Sequence, residues 1–132
     1  MSTRSFIATN NPPTSYVSGI YCHFDGYPDH HGPILKNHYT TQEKVLQLLD
    51  LGSISVLAPE IGEKHSFQSP NENWVLAYHR DGGEEYDEWM EYNSEDDARM
   101  NCFSDLGVDF AYLFKNGKWF YAKHNSKNWE EL

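Results

Sequence analysis

The sequence predicts a single α+β domain over residues 1–132, with a mostly antiparallel sheet and two or three helices on one face of that sheet. Two apolar segments flank Asn116-Gly117, a pair that favours a two-residue type I′ turn, so the chain should close with a C-terminal aromatic β-hairpin. Apolar residues at helical spacing, preceded by capping residues and followed by glycine, predict helices at about 41–50 and 94–107. From about residue 124 the chain is polar, typical of a ragged end or a surface cover.

Two strands are predicted near the N-terminus. The first runs from Arg4 to Thr9 and ends at Asn10-Asn11-Pro12-Pro13, which disfavours both helix and central strand. The second runs from Tyr16 to Asp25 and places Ile20 and Cys22 on one face and Tyr21, His23 and Asp25 on the other. A core on the Ile20 side would direct His23 outward or into a cleft.

The next elements are helical. Pro33 near a first turn predicts a short helix to Tyr39, because the missing amide of proline costs little there. In the helix at about 41–50, Thr40 and Glu43 have capping-box spacing and Gly52 provides a stop. Residues 53–58 form either a strand or a buried turn, and residues 59–73 read as a loop.

The second half of the chain continues the alternation of strands and helices. Residues 74–81 predict another strand that ends in Asp-Gly. Ser94 can cap a helix that stops at Gly107 and turns its apolar side chains, Met100, Phe103 and Leu106, inward. In the hairpin at 109–122, the Asn-Gly turn sets a register that pairs Phe114 with Trp119 and Tyr112 with Tyr121.

Composition limits the classes of partner. Twenty acidic residues against ten basic ones give a net charge of −10, which repels phosphate backbones and anionic membranes. We therefore expect no direct nucleic-acid binding and no membrane association. A protein surface that is itself basic remains a suitable partner, because carboxylates can occupy its phosphate sites.

Cysteine use and the N-terminus indicate a compartment. Cys22 and Cys102 lie far apart with no C-x-x-C spacing, a pattern typical of a reducing cytosol, and Cys22 is expected in the core. The first residues lack the apolar segment of a signal peptide, and no run approaches the roughly 18 apolar residues of a membrane span. We expect a cytoplasmic protein.

A short pattern occurs twice, as His23-Phe24-Asp25-Gly26 and His79-Arg80-Asp81-Gly82, each at the end of a predicted strand. If the two strands are neighbours, His23, Asp25, His79 and Asp81 are the candidate catalytic residues, suited to acid–base chemistry or to a divalent transition metal. The candidate metal ligands are these four residues together with His30 and His31, and His38 is a further candidate. His30 and His31 fall in a predicted tight loop between Gly26 and Gly32. The alternative is that Asp-Gly only makes turns and the histidines are partly exposed.

An acidic and aromatic tract is the second feature. From residue 81 to residue 97 there are nine acidic residues and no basic one. Its carboxylates can stand in for phosphates while Tyr86, Trp89 and Tyr92 anchor a contact. The candidate binding residues are Glu85, Tyr86, Asp87, Glu88, Trp89 and Glu91 of this tract, together with Tyr27 of the segment 21–32. The alternative is a solvated helix face with ordinary core aromatics.

The segment Tyr21-Cys22-His23-Phe24-Asp25-Gly26-Tyr27-Pro28 resembles a family of small proteins encoded by bacteriophages, prophages and mobile elements, which share a Tyr-x-His-[Trp/Phe]-Asp-Gly-Tyr-Pro core. Thr3-Arg4-Ser5, Gly32, Leu35, His38-Tyr39 and the segment from Ala77 to Glu84 extend the likeness over about the first hundred residues. The resemblance implies a phage or mobile-element setting and no particular activity.

Three functions follow from these patterns. The first is a non-enzymatic accessory protein in the bacterial host cytosol that binds a host protein through an acidic face and inhibits defence or nucleic-acid-processing machinery, with no cofactor. The second is a metal-assisted hydrolase or phosphodiesterase that uses the paired His-x-Asp motifs. The third is a binder of a small ligand, such as a nucleotide signal, at residues 21–32. No complete catalytic set is legible in the sequence, which favours the first; the sequence leaves the oligomeric state open.

Overall fold

A computed structural model describes residues 2–132 and shows a sheet of eight strands with four helices. The strands are β1 (Ser5–Asn10), β2 (Val17–Cys22), β3 (Ile54–Val56), β4 (Leu76–Ala77), β5 (Met90–Tyr92), β6 (Phe110–Lys115), β7 (Lys118–Lys123) and β8 (Glu130–Glu131). The helices are α1 (Pro28–His38), α2 (Gln42–Leu49), α3 (Tyr78–Gly82) and α4 (Glu95–Leu106).

The sheet is mostly antiparallel, which confirms the predicted α+β class. Its strand order is β4-β3-β2-β1-β6-β7-β8, and β5 pairs with β2 beside this path. Only β1 with β6 and β2 with β3 run parallel among the strand pairs of the described chain. None of the helices in residues 2–132 has the length and apolarity that crossing a membrane requires.

Helices cover both faces of the sheet. On one face Ile7 and Ile20 pack with Leu48 and Leu49 of α2, and on the other Phe6 packs in the cluster that contains α4. The prediction of helices on one face is therefore wrong for α4. The reason is that the central strands are apolar on both faces, so each face needs a cover that removes it from water.

The C-terminal hairpin is confirmed. Phe114 pairs with Trp119 and Tyr112 with Tyr121 in the predicted register. Asn116 and Gly117 both have positive φ, 52° and 76°, as a type I′ turn requires. The tail beyond residue 124 covers the surface, because its strand β8 pairs with β7 and the indole of Trp129 donates to the Glu95 carbonyl at 3.0 Å.

Helix ends depart from prediction in two places. Helix α1 begins at Pro28 instead of Pro33, so His30 and His31 lie on a helix and not in a loop. Pro28 is suited to the first turn because the missing amide hydrogen of proline costs little there. Thr41, not Thr40, caps α2 by accepting from the Lys44 amide. In α4 the Ser94 cap and the Gly107 stop are confirmed, and the inward position of Phe103 is confirmed.

Met100, however, is 68% exposed, so its predicted inward orientation is wrong. Ala98 and Cys102 line the buried face of α4 next to Phe103. The small side chains of Ala98 and Cys102 pack against the sheet, and the long Met100 side chain lies on the solvent face. The side of a helix that faces the sheet is the one whose side chains pack there, and hydrophobicity alone does not determine it.

The strand predicted at 74–81 is mostly absent. Only Leu76 and Ala77 extend the sheet, and the chain then turns into α3, which ends at Gly83 with φ 70°. The Asp81 carboxylate accepts a hydrogen bond from the Ala77 amide at 2.7 Å, a contact that folds the segment back on itself. A local side-chain bond of this kind competes with the strand ladder.

Candidate functional site

The first His-x-Asp motif lies in a corner between β2 and α1. The Nδ1 atom of His23 is 2.7 Å from the Tyr21 hydroxyl, and its Nε2 atom is 3.2 Å from Ser2 Oγ. His23 directly follows β2, and its amide donates to the Ile54 carbonyl at 3.1 Å. Tyr21 and His23 therefore meet as residues two apart in extended backbone, which share a face. Asp25 is exposed and has φ 56°, so it makes the turn that follows the strand. The prediction that His23 and Asp25 share one face of a strand is therefore wrong, because the strand ends at Cys22 and Asp25 lies in the turn.

Gly26 closes the same corner. Its amide donates to the Thr3 carbonyl at 2.8 Å, and its carbonyl accepts from the Tyr112 hydroxyl at 2.6 Å. A Cβ atom at this position would lie 2.7 Å from the Cβ atom of Ser5. Packing thus requires glycine here, and the Asp-Gly of the first motif has a structural role.

His30 and His31 form a pair on α1 beneath this corner. His31 is fully buried, with Nε2 at 3.0 Å from Ser5 Oγ and Nδ1 at 3.3 Å from Nδ1 of His30. Burial, and then the neighbouring His30, lower the pKa of His31 to about 3, so the ring is neutral near neutral pH. Tyr27 is the N-cap residue of α1 and is 41% exposed in this corner. His38 is exposed at the end of α1.

The second motif is built around a buried carboxylate. The Asp81 side chain is fully buried, and its Oδ1 atom accepts from Arg80 Nε at 2.9 Å and from the His65 amide at 3.0 Å. Oδ2 accepts from the Ala77 amide and from the Arg80 guanidinium at 3.1 Å. Burial alone would raise the pKa of Asp81, but the Arg80 and backbone hydrogen bonds outweigh it and hold that pKa below its ordinary value.

We call Asp81 and its donors Ala77, Arg80 and His65 the Asp81 cluster. Arg80 and His65 connect it to the long loop before β4. Arg80 also donates to the carbonyls of Ile61 and Val75, at 2.9 and 2.6 Å. The His65 ring accepts from the Asn71 amide at 2.9 Å, which leaves its Nε2–H to donate to the Val75 carbonyl. The Asp81 cluster therefore ties the loop to α3. His65 is a residue that the sequence does not single out, because it lies in a polar segment with no motif around it.

The two His-x-Asp motifs have separate partners. His79 is exposed, and its Nδ1 atom is 2.7 Å from the Glu84 carbonyl oxygen, while His23 bonds to Tyr21 and Ser2 as described above. Within residues 2–132 there is no group of three or more His, Cys, Asp or Glu residues arranged to hold a metal ion. With two donors on each oxygen, the Asp81 carboxylate serves as a structural tie.

The acidic edge, defined here as residues 84–91, forms an exposed but anchored rim of the molecule. Its Asp87 carboxylate accepts from the Ser53 amide at 3.0 Å and from the Ser53 hydroxyl. The Tyr86 hydroxyl donates to the Asp50 carbonyl at 3.0 Å, and the end of the edge pairs with β2 through Glu91 and Ser18. These contacts join the segment to the C-terminal end of α2, to the loop that follows α2 and to β2.

Two large aromatic side chains of the acidic edge remain open to solvent, Tyr86 at 41% and Trp89 at 37% exposure. Between them lies a depression of about 170 Å³, which we call the notch; its lining residues are Asp50, Tyr86, Glu88 and Trp89. On the α2 side, a shallower depression of about 350 Å³ is lined by Glu43, Leu46, Gln47, Asp50 and Trp89. The sequence does not connect Glu43 or Asp50 with this surface, because they lie on or beside α2 and reach it only through the fold.

A larger groove of about 560 Å³ lies between α1 and the C-terminal strands. Pro28 and Gly32 of the corner segment line one wall, and Tyr121 and Glu131 line the other. It is the cavity of the described chain that touches the segment expected to bind a small ligand. Its lining carries Lys36 as well as Asp29 and Glu131, so it has no single sign of charge.

Comparison with known proteins identifies no relative: no protein-family model, no curated protein and no solved structure matches the chain. Functional inference therefore depends on the geometry of the corner, the Asp81 cluster and the acidic edge. The polar groups of the Asp81 cluster are engaged with one another and with the backbone. The acidic edge presents carboxylates and aromatic rings to solvent.

Proposed function

We propose that this protein is a non-enzymatic binding protein that docks its acidic edge on a basic surface of another protein. The observation that carries the proposal is that the edge is exposed throughout and yet tied to the rest of the domain by the contacts of Asp87 with Ser53 and of Tyr86 with Asp50. A surface fixed before binding loses little conformational entropy when the partner arrives.

Charge and aromatic content support the same role. Between residues 81 and 97 no positive side chain offsets the nine acidic ones, and Glu43 and Asp50 add two exposed carboxylates from α2. Such a field attracts a basic partner and speeds its encounter. Exposed Tyr86 and Trp89 supply apolar area of the kind that carries binding energy in protein interfaces.

The resemblance to phage and mobile-element proteins supports a host protein in the bacterial cytosol as the partner. A host protein that normally binds nucleic acid has the basic surface that the acidic edge fits, because carboxylates can occupy positions where phosphates bind. Occupying that surface would inhibit a defence or nucleic-acid-processing protein without any chemical step.

The hydrolase hypothesis receives less support. It requires Asp81 to bind a metal or a proton in the reaction, whereas both oxygens of that carboxylate accept hydrogen bonds within the Asp81 cluster. His79 is directed to the Glu84 carbonyl. These contacts suit a role in folding.

The test is capture of the partner from lysate of a bacterial host, followed by purification of the captured protein and measurement of its dissociation constant at low and high salt. The variant Glu85→Lys/Glu91→Lys changes two exposed carboxylates of the edge. Its control, Glu63→Lys/Glu72→Lys, makes the same change of net charge on the loop before β4, also at exposed residues.

We expect the edge variant to bind at least about tenfold more weakly, a loss of about 1.4 kcal/mol, and the control to bind like the parent. The affinity should also fall at high salt, because exposed charges are screened. Equal binding by the edge variant and the parent, or equal losses in the two variants, would contradict docking through the acidic edge.

A further inference from the structure

We infer that the notch between Tyr86 and Trp89 receives a single lysine or arginine side chain of the partner protein. This inference rests on the proposed function and specifies its chemistry. The four residues that line the notch are two aromatic residues and two acids, Tyr86 and Trp89 with Asp50 and Glu88. Aromatic faces and carboxylates are the two kinds of group that bind an ammonium or guanidinium ion most strongly in proteins.

The size of the notch fits one side-chain end. Its volume is about 170 Å³, room for several water molecules at roughly 30 Å³ each. A nucleotide or a folded loop would not enter it, whereas the end of a lysine or arginine side chain would. The alkyl stem of such a side chain would lie against the ring of Trp89, a residue that is 37% exposed.

The Tyr86 ring of the notch is held in place before binding. The Tyr86 hydroxyl donates to the Asp50 carbonyl, and the Tyr86 ring packs edge-on against His79 with centroids 5.2 Å apart. Between the two aromatic residues, Asp87 is fixed to Ser53. A Cβ atom on Gly52 would collide with the Asp87 carbonyl, so backbone and edge are in close contact there.

Helix α2 contributes independently to the preference for a cation. Asp50 is the C-terminal cap of α2, and the last turn of that helix carries no basic side chain. The C-terminal end of a helix has a partial negative charge that a cation stabilises. A basic side chain in the notch would supply the positive charge that the helix itself lacks.

The ionisation of Tyr86 is consistent with a negative potential in the notch. Burial, followed by the charges of Asp50, Glu88 and Asp87, raises the pKa of the Tyr86 hydroxyl. The same carboxylates that disfavour a phenolate anion favour a bound cation.

The experiment uses the full-length protein and four short peptides that differ only at one central residue: lysine, arginine, norleucine or ε-acetyl-lysine. Binding is followed by NMR through the indole N–H signal of Trp89. Trp119 and Trp129 provide internal references, because their indole groups donate to the carbonyls of Tyr39 and Glu95. We expect the lysine and arginine peptides to shift the Trp89 signal saturably, and the two uncharged peptides to bind at least about tenfold more weakly. Equal binding of the lysine and norleucine peptides would overturn the inference.

Variants separate a contact in the notch from attraction by the whole acidic surface. Glu88→Gln removes a lining carboxylate, and Glu85→Gln removes an exposed carboxylate that does not line the notch. We expect Glu88→Gln to weaken the lysine peptide at least about fivefold and Glu85→Gln less than about twofold, as judged with Trp89 shifts. Equal losses from Glu88→Gln and Glu85→Gln would overturn the inference.

The two proposals fail in different ways. If the partner is captured through the acidic edge but no lysine or arginine peptide shifts Trp89, the notch inference is wrong and the docking surface stands. If the peptides bind in the notch but Glu85→Lys/Glu91→Lys leaves partner capture unchanged, docking through the acidic edge is wrong and cation binding in the notch stands.

Discussion

The Asp87 carboxylate accepts hydrogen bonds from both the amide and the hydroxyl of Ser53, two residues 34 positions apart in the chain. This pair holds a segment of otherwise exposed residues against the loop that follows α2. The acidic edge is therefore an ordered rim in spite of its polar composition, and its order can be tested separately from its binding.

Replacing Asp87 with Ala should loosen the acidic edge without unfolding the domain. The Ser53 amide loses its acceptor, so we expect its hydrogen exchange to become at least about tenfold faster while exchange in β1 and β6 stays unchanged. Glu85→Ala is the matched control, because it removes an exposed carboxylate of the same segment. Unchanged exchange at Ser53 in the Asp87 variant would show that the pair does not order the edge.

Replacing Asp81 with Ala should destabilise the whole fold. The change leaves the Arg80 guanidinium and the amides of His65 and Ala77 without their common acceptor. Removing one partner of a buried ion pair costs about 3 kcal/mol or more. Asp25→Ala, the matching change in the first motif at an exposed turn residue with positive φ, should cost about 1 kcal/mol. Urea denaturation of the two variants makes the comparison. Equal losses would contradict a structural role that is particular to Asp81.

Gly26→Ala should be more damaging than Gly83→Ala. A Cβ atom at Gly26 would lie 2.7 Å from Ser5 Cβ and 2.9 Å from the Thr3 carbonyl oxygen, so we expect a loss of about 2–3 kcal/mol. Gly83 has φ 70° and no atom within 4 Å of such a Cβ, which leaves only about 1 kcal/mol of left-handed strain. Thermal or urea unfolding measures both, and a smaller loss at Gly26 than at Gly83 would contradict the packing of the corner.

Acidification should weaken the fold through His31. The pKa of the buried ring is about 3, against about 6.5 in an unfolded chain, so between these values the unfolded state binds more protons. The free energy of unfolding must then fall as the pH drops below about 6.5 and level off below about 3, by roughly 1–2 kcal/mol between pH 6.5 and 5. His31→Gln removes this group. The difference between parent and variant should shrink over that range, and a constant difference would show that His31 does not titrate in this way.

Both thiols should be unreactive in the folded protein. Cys22 and Cys102 are fully buried, and burial raises the pKa of each thiol to about 12, which leaves almost no thiolate at neutral pH. We expect alkylation by iodoacetamide only after denaturation, as measured by mass spectrometry. Rapid modification of either cysteine under native conditions would indicate local opening of β2 or α4.

Local sequence signals account for the elements whose cause is local. The type I′ turn at Asn116-Gly117 fixes the hairpin register, and the Ser94 cap and Gly107 fix the ends of α4. The same signals fail where a distant contact competes with them. Residues 78–82 form a helix in which the Asp81 carboxylate accepts from the nearby Ala77 amide and from the distant His65 amide, and no pattern within the segment predicts the contact with His65.

The candidate site divides in the same way. The sequence by itself determined the composition of the acidic edge, its aromatic residues and the negative charge of the chain, because these are properties of a contiguous segment. Only the tertiary structure decided that the two His-x-Asp motifs have separate partners and that Asp50, from the end of α2, faces Tyr86 and Trp89. The physical reason is that hydrogen bonds and side-chain packing join residues that are distant in the chain, and those contacts decide which polar groups are satisfied internally and which remain open to a partner.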